Sequence, residues 1–294
     1  MLFLFSTIIA NLAALLALKF AATRGASAVE LNYFYRLGLG IISGCLLVGS
    51  FQMNEMFRIL PVVLPSLIIG SLLLYFSGLA AIRALQEGHL GVSMAVIRSS
   101  MILPTIYALW LLFFHGDPEF HAKLLPVGLG VSAIVLGLAA FGVDRDQLAK
   151  MLPVKGTERW VFWLVAAFFA QGAWEIVVAS SKSLSARETK FLFLAAGMLV
   201  GMISIFRKIP RATPHSSPWK LVAFLGGGAA MLTILTRAFA IKDLGAVIVF
   251  PTVTVSVTIL TQVLGMVLWK ERLGVVGMVG VMSLMIGMLV IFLN

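Results

Sequence analysis

The chain has 294 residues, of which 61% are hydrophobic and only 12% charged, with a mean hydropathy of +1.05. Soluble domains carry about 25% charged residues, so a water-soluble core is excluded and the composition is that of a multipass membrane protein. The net charge of +10 comes from Lys and Arg in loops beside apolar segments, where they set topology and meet anionic head groups rather than nucleic acid.

The first apolar run, residues 2–20, has no basic stretch before it and is followed by Lys19 through Arg24, which reads as a retained first helix rather than a secretory signal. Further runs of spanning length, about 17 to 25 residues, fall at 31–50, 61–82, 90–113, 123–143, 159–181, 189–206, 219–241, 244–268 and 273–293. Lys270-Glu271-Arg272 leaves room only for a hairpin between the last two. Residues 144–158 form a polar linker halfway along, and 207–218, with Arg207, Lys208, Pro210, Arg211, Pro214 and Pro218, read as a solvated basic loop. The expected fold is an all-α integral membrane protein of ten transmembrane helices. They divide into a five-helix repeat over 1–143, the linker 144–158, and a second five-helix repeat over 159–294. Five is odd, so a repeated unit enters the bilayer from the opposite face, as in many secondary transporters.

Residue pairings fall in the order such a duplication requires. Gly40-x-x-x-Gly44 in the second span answers to Gly197-x-x-x-Gly201 in the seventh. Arg83-Ala84 with Leu90-Gly91 answers to Arg237-Ala238 with Leu244-Gly245, and that register sets Asp117 on Glu271. Gly130 and Gly137 share their spacing with Gly280 and Gly287. Loops on the linker's side of the membrane hold 13 Lys and Arg against 7 opposite, Arg237 being counted with the latter. The positive-inside rule then puts the linker in the cytoplasm and both termini outside.

The last helical pair carries a family likeness. Leu244-Gly245-Ala246 opens a helix with Pro251 that ends at Trp269-Lys270-Glu271-Arg272-Leu273, and a final helix spaced by Gly277, Gly280 and Gly287 follows. Together with Arg36 early in the second span, this resembles the EamA-type branch of the drug/metabolite transporter superfamily. The first span has Asn11-Leu12 where that family has Trp-Gly, and the sixth has Gly172 with Trp174 not immediately before it. The resemblance implies ten helices from a duplicated five-helix unit and termini in the cytoplasm, opposite to the charge count. It also implies a central cavity lined by helices one to four and six to nine.

An ionisable side chain inside a span costs about 2.5 to 3.5 kcal/mol, so it faces a cavity or a partner. Arg36, Arg98 and Glu175 stand inside spans. Glu175 has Gln171 one turn before it on the same face and Trp174 beside it; desolvation favours a protonated carboxyl, so Glu175 is the candidate for proton coupling, with a structural bridge to Arg98 as the alternative. Arg98, above Thr105, offers a planar donor fork for a carboxylate or phosphate. Arg36 either contacts a ligand or snorkels to the head groups. Thr254, Thr258 and Thr261, with Gln262, make a polar stripe on the ninth span. Thr7 and Asn11 add polar contacts in the first, and Pro104 and Pro251 are hinge or packing candidates. The candidate substrate-binding set is Asn11, Arg36, Arg98, Gln171, Trp174, Glu175, Thr254, Thr258 and Gln262.

Cys45 is the only cysteine, so neither a disulfide within the chain nor a cysteine-based metal site is available. No metal or cofactor is expected. Gly130-Val131-Ser132 formally fits an intramembrane serine hydrolase, but His89, His115, His121 and His215 all fall in predicted loops, away from any membrane-embedded base. The absence of a P-loop excludes ATP-driven transport by this chain alone. The expectation is therefore a secondary transporter, not an enzyme, in the cell (inner) membrane. It would move a small polar or amphipathic metabolite, for instance an amino acid, by alternating access, with or without proton coupling. Its partners would be that small molecule and membrane lipids; the alternatives are a lipid-carrier flippase or a non-transporting membrane partner.

Overall fold

The computed structural model describes residues 1–24, 26–87, 97, 99–115, 128–137, 157–206, 218–269 and 275–293. No strand occurs among them. The helices are α1 Leu2–Thr23, α2 Ala28–Ser50, α3 Met53–Glu87, α4 Ile102–His115, α5 Gly128–Gly137, α6 Thr157–Ser180, α7 Ala186–Phe206, α8 Pro218–Leu244, α9 Ala246–Trp269 and α10 Val275–Leu293, with a 3₁₀ turn at Ser181–Ser183. Among the described residues, seven helices (α1, α2, α3 and α6 to α9) contain stretches long and apolar enough to cross a membrane, and shorter apolar stretches lie in α4, α5 and α10.

Large apolar side chains point outward along these helices: Val48 is 73% exposed, Ile69 54%, Phe76 54%, Leu221 63% and Leu289 59%. Soluble monomers rarely show so much contiguous apolar surface; hydrocarbon is the solvent that accepts it. The chain is an all-α multi-pass membrane protein.

Helix ends follow local chemistry. Ser27 caps α2 by accepting the Glu30 N–H at 3.3 Å and donating to the Glu30 carboxylate at 2.7 Å. At the start of α7 the Glu188 carboxylate accepts the Ser185 backbone N–H at 2.7 Å and the Ser185 hydroxyl accepts the Glu188 N–H at 3.2 Å, a reciprocal capping box; at α2 the carboxylate takes the Ser27 hydroxyl instead. Both caps fall in matching sequences, Ser27-Ala28-Val29-Glu30 and Ser185-Ala186-Arg187-Glu188. Between α8 and α9 stands only Gly245, whose φ of +83° is a left-handed conformation that side chains resist. That junction is therefore tighter than the expected loop after residue 241. α3 begins at Met53, eight residues before the expected span, because Asn54, Glu55 and Arg58 continue the helix beyond its apolar portion. The expected linker 144–158 lies outside the described residues except for Thr157 and Glu158, which already belong to α6; residues 207–217, Asp117 and residues 270–274 lie outside as well.

Two compact units emerge, each taking helices from both sides of the midpoint. Unit 1 comprises Met1–Ile82 and Ser180–Asp243, hence α1, α2, most of α3, α7 and α8. α7 is its central helix, buried almost continuously from Phe191 to Gly197, and its most extensive contact is with α2. The two cross where a methyl group added to Gly40 would land on the Gly201 backbone, and the reverse. α8 packs on α2 by the same device: Gly38 faces the Phe224 carbonyl and Gly227 the Tyr35 carbonyl, each too close for a side chain. Phe34 edges onto Trp219 at 5.9 Å beside buried Ala21 and Ala223.

Unit 2 comprises Arg83–Ala179 and Leu244–Asn294. α9 packs against α4 and α10. α5 crosses α10 twice at glycines. A methyl on Gly130 would lie 2.8 Å from the Gly287 carbonyl oxygen, and one on Gly137 2.7 Å from that of Gly280. Between the crossings, Ser283 donates to the Ala133 carbonyl at 2.8 Å. α6 meets α4 at Gly172, where a methyl would stand 3.0 Å from Leu103 Cβ.

Not every glycine serves packing. Around Gly49 there is open space, and a methyl on Gly44 would meet only the Met198 side chain, at an ordinary 3.6 Å. Gly40→Ala and Gly201→Ala are each expected to lower the free energy of unfolding by about 1–3 kcal/mol, the cost of overpacking. Gly49→Ala should leave it unchanged or raise it by up to ~1 kcal/mol, the helix-propensity gain over glycine. Denaturant melts of the purified variants, followed by circular dichroism, make the comparison.

Candidate functional site

Two arginines of the unit 1 helices, Arg36 and Arg237, are buried. Arg36 is only 4% exposed: it does not snorkel. Its Nη2 donates to the Tyr75 carbonyl on α3 at 2.8 Å, and its guanidinium lies over the Tyr75 ring, 4.3 Å from the centroid. Gly78 makes the space, since a methyl there would stand 2.9 Å from Nη2. Arg237 is 5% exposed and stands two turns inside the end of α8. Arg237 falls within the expected span 219–241 although the charge count sets it with the loop that follows; the structure places it inside the helix.

On α1, Thr7 is fully buried and half-buried Asn11 follows one turn along. The Thr7 hydroxyl lies 2.9 Å from that of Thr236 on α8, so the pair shares a hydrogen bond between the helices. Phe3 and Phe239 stack beside it, with ring centroids 5.3 Å apart.

Unit 2 holds the acidic group. Glu175 is 2% exposed and Trp174 likewise. Gln171 Nε2 donates to Glu175 Oε1 at 2.9 Å, so the expected pairing on one face of α6 is present. The helix carrying them rests on α4 through Gly172 and Leu103. Arg98 lies outside the described residues, as do His89, His121 and His215; His115 is the last residue of α4.

α4 begins after a break. Ser100 and Met101 form a turn, Ser100 N–H bonding the Ile97 carbonyl at 3.3 Å and Leu103 N–H taking the Ser100 carbonyl at 3.0 Å. In an unbroken helix that carbonyl would await the N–H of residue 104, which is proline and has none. Pro104 thus fixes the start of α4. Against this break stands the α9 stripe. Thr254 places its hydroxyl 2.6 Å from Met101 Sδ, and a cavity of about 20 Å³, room for one water-sized molecule, is lined by Thr105, Pro251 and Thr254 among others.

The stripe does not act as one. Thr252 and Thr261 bond back to the Ile248 and Val257 carbonyls, each at 2.6 Å. Thr254 reaches α4, while the hydroxyls of Thr258 and of Ser100 are buried with no hydrogen-bond partner among the described atoms. Gln262 lies in α9, its side chain outside the described set. Ser132 is exposed and donates to the Gly128 carbonyl at 2.8 Å. Among the described residues no His, Cys, Asp or Glu cluster could hold a metal ion.

The structure therefore brings together Gln171 and Glu175 on α6, and sets Thr254 against the broken start of α4. It places Arg36 against α3 and Asn11 beside the Thr7–Thr236 pair. No family model and no curated protein matches the sequence. Among 27 matching chains of solved structures is one described only as "Crystal structure of protein". It shares 17% identity over 99% of this chain and 96% of its own, with a TM-score of 0.69, a likeness of fold alone.

Arg36→Met removes a charge-assisted bond to a carbonyl and a cation–π contact from a buried site. It is expected to cost about 2–3 kcal/mol of stability, measured by denaturant unfolding. Arg36→Lys should recover less than half of the loss, because an ammonium cannot stack on Tyr75 while reaching its carbonyl.

Proposed function

We propose that the chain is a secondary transporter of the EamA type, a branch of the drug/metabolite transporter superfamily, moving a small polar or amphipathic metabolite by alternating access. The observation that carries this reading is Glu175. A carboxyl 2% exposed and tied to Gln171 within a membrane-spanning helix costs insertion energy, and such groups mark ion, proton or substrate paths.

The framework is read as ten spans in two inverted five-helix repeats, 1–143 and 159–294. Three observations support it. Ser-Ala-x-Glu sequences with serine N-caps open both α2 and α7. Gly130 packs on Gly287 and Gly137 on Gly280; a two-fold axis that carries Gly130 to Gly280 and Gly137 to Gly287 turns one contact into the other. The helix pairs α2 with α7 and α4 with α9, counterparts under the repeat, are those in extensive contact.

In the mechanism, Glu175 is the proton-coupling residue, and Gln171 holds its carboxyl in place. Thr254 and Thr258, opposite the broken start of α4, offer hydroxyls to a polar substrate. Arg98 and Gln262 complete the proposed set, with Trp174 packing beside Glu175. A zwitterion such as an amino acid suits an arginine and a carboxyl in one path. The chain acts in the cell (inner) membrane and needs no cofactor.

In proteoliposomes with an imposed pH gradient, uptake of radiolabelled amino acids and related metabolites is expected for the native chain. Glu175→Gln should reduce gradient-driven uptake at least tenfold while leaving exchange between equal pools within about threefold. Gradient-driven uptake at the native rate in Glu175→Gln would overturn the coupling role, and no flux of any tested metabolite would overturn transport of this class.

A further inference from the structure

Within unit 1, α2 and α7 enclose an apolar groove of about 700 Å³, lined by Gly40, Gly44, Val48, Met198, Gly201 and Met202 among others. It is open to the side, with Val48 73% and Met202 44% exposed. Two of its glycines are not explained by helix packing: Gly49 has nothing within 4 Å of where a side chain would begin, and Gly44 meets only the flexible Met198 at 3.6 Å. Glycine lowers helix stability relative to alanine, so these positions keep space empty at a cost the crossing itself does not require.

The dimensions choose the occupant. From Leu37 to Gly49 the groove runs about 18 Å at the helical rise of about 1.5 Å per residue, close to one leaflet's hydrocarbon depth of about 15 Å, half of a ~30 Å core. About 700 Å³ over that length is a section of about 40 Å². A helix about 10–12 Å across needs roughly 80–110 Å². The groove is too narrow for a helix of a second copy and wide enough for a hydrocarbon chain.

One end of the groove is cationic. Phe51, just past the end of α2, stacks on Phe191 in the second turn of α7 at 5.6 Å, so the end of α2 near Gly49 lies beside the start of α7. There Arg187 and Lys190 stand about three turns before Met198 and Gly201 respectively, on the same helical face. Arg187 pairs with Glu55 while remaining 73% exposed, Lys190 is half-buried and Lys182 exposed. Of the nearby acids, Glu188 is held by the capping box.

We propose that this groove seats one anionic phospholipid, an acyl chain lying along Gly40, Gly44 and Gly49 and the phosphate resting on Lys190 and Arg187. The site is built from helices other than α6 and stands whether or not Glu175 couples transport to protons.

The test is native mass spectrometry of the full chain, purified in mild detergent, delipidated, and titrated separately with phosphatidylglycerol and phosphatidylcholine. One phosphatidylglycerol per chain should bind at a lipid ratio where phosphatidylcholine occupies less than a fifth of chains. Gly44→Leu and Gly49→Leu should each lower occupancy at least fivefold with circular dichroism unchanged; Gly49→Leu, in open space, is the variant that keeps its fold. Lys190→Gln should retain a lipid but bring the preference for phosphatidylglycerol to within twofold. Undiminished occupancy in the folded Gly49→Leu variant sinks the proposal. So does equal binding of both lipids to the native chain, or a two-chain species lost on filling the groove, which would make a second copy the occupant.

Discussion

The crossing of α2 and α7 at Gly40 and Gly201 is the contact on which unit 1 depends. Inside a bilayer, helices gain nothing by hiding apolar surface from one another, because lipid tails are as apolar as leucine; association rests on close approach and on hydrogen bonds between helices. Gly40 and Gly201 bring two backbones together where any side chain would collide. Once α2 is fixed, Gly38 and Gly227 seat α8 on it, and the Arg36 guanidinium, in the space Gly78 leaves, ties α3 to its other side. Each later contact presupposes the position of α2.

The same scarcity of water governs the polar side chains. A buried hydroxyl in hydrocarbon must find an acceptor, and the nearest is usually the carbonyl one turn back. Ser43, Ser71 and Ser204 in unit 1 do this at 2.6 to 3.0 Å, as do Thr252 and Thr261 in unit 2. Those groups are satisfied without any neighbour. Against that background the exceptions carry information. Gln171 spends its amide on Glu175, Thr254 turns to α4, and the hydroxyls of Thr258 and Ser100 bond to no described atom. These belong to unit 2, around α4, α6 and α9; in unit 1 the Thr7 hydroxyl likewise reaches another helix, at Thr236.

Apolar runs made the spans legible from sequence, since a run's length measures itself against the bilayer. What a run cannot show is where a helix continues past its apolar part. α3 starts eight residues early for that reason. The Gln171–Glu175 pair was readable because both residues sit on one helix at a spacing of one turn. The partners of Arg36 were not, because Tyr75 and Gly78 are brought to it only by tertiary packing. Glycine shows the limit most clearly: Gly40 and Gly44 look alike in a Gly-x-x-x-Gly motif, yet one is indispensable to a crossing and the other keeps space open. The Ser-Ala-x-Glu sequence at the start of both α2 and α7, by contrast, is legible without any tertiary packing.

If the halves are inverted repeats, symmetry and function pull against each other, and the helix pairs show where each prevails. Near a two-fold axis a residue meets its counterpart or a neighbour of it, so every side chain added there is added twice to the same space. Small residues are favoured, as at Gly40 with Gly201 and at Gly130 with Gly287. Four of the five counterpart pairs lie within a single unit: α2 with α7 and nearly all of α3 with α8 in unit 1, α4 with α9 and α5 with α10 in unit 2. The exception is α1 with α6, divided between the units. A charge added to such a pair turns away from the counterpart, as Arg36 on α2 does in bonding the Tyr75 carbonyl on α3. The divided pair differs in its polar residues: α6 carries Gln171 and Glu175, and α1 carries Thr7 and Asn11. A single substrate has no two-fold symmetry, so residues that bind one must break the pairing of counterparts somewhere.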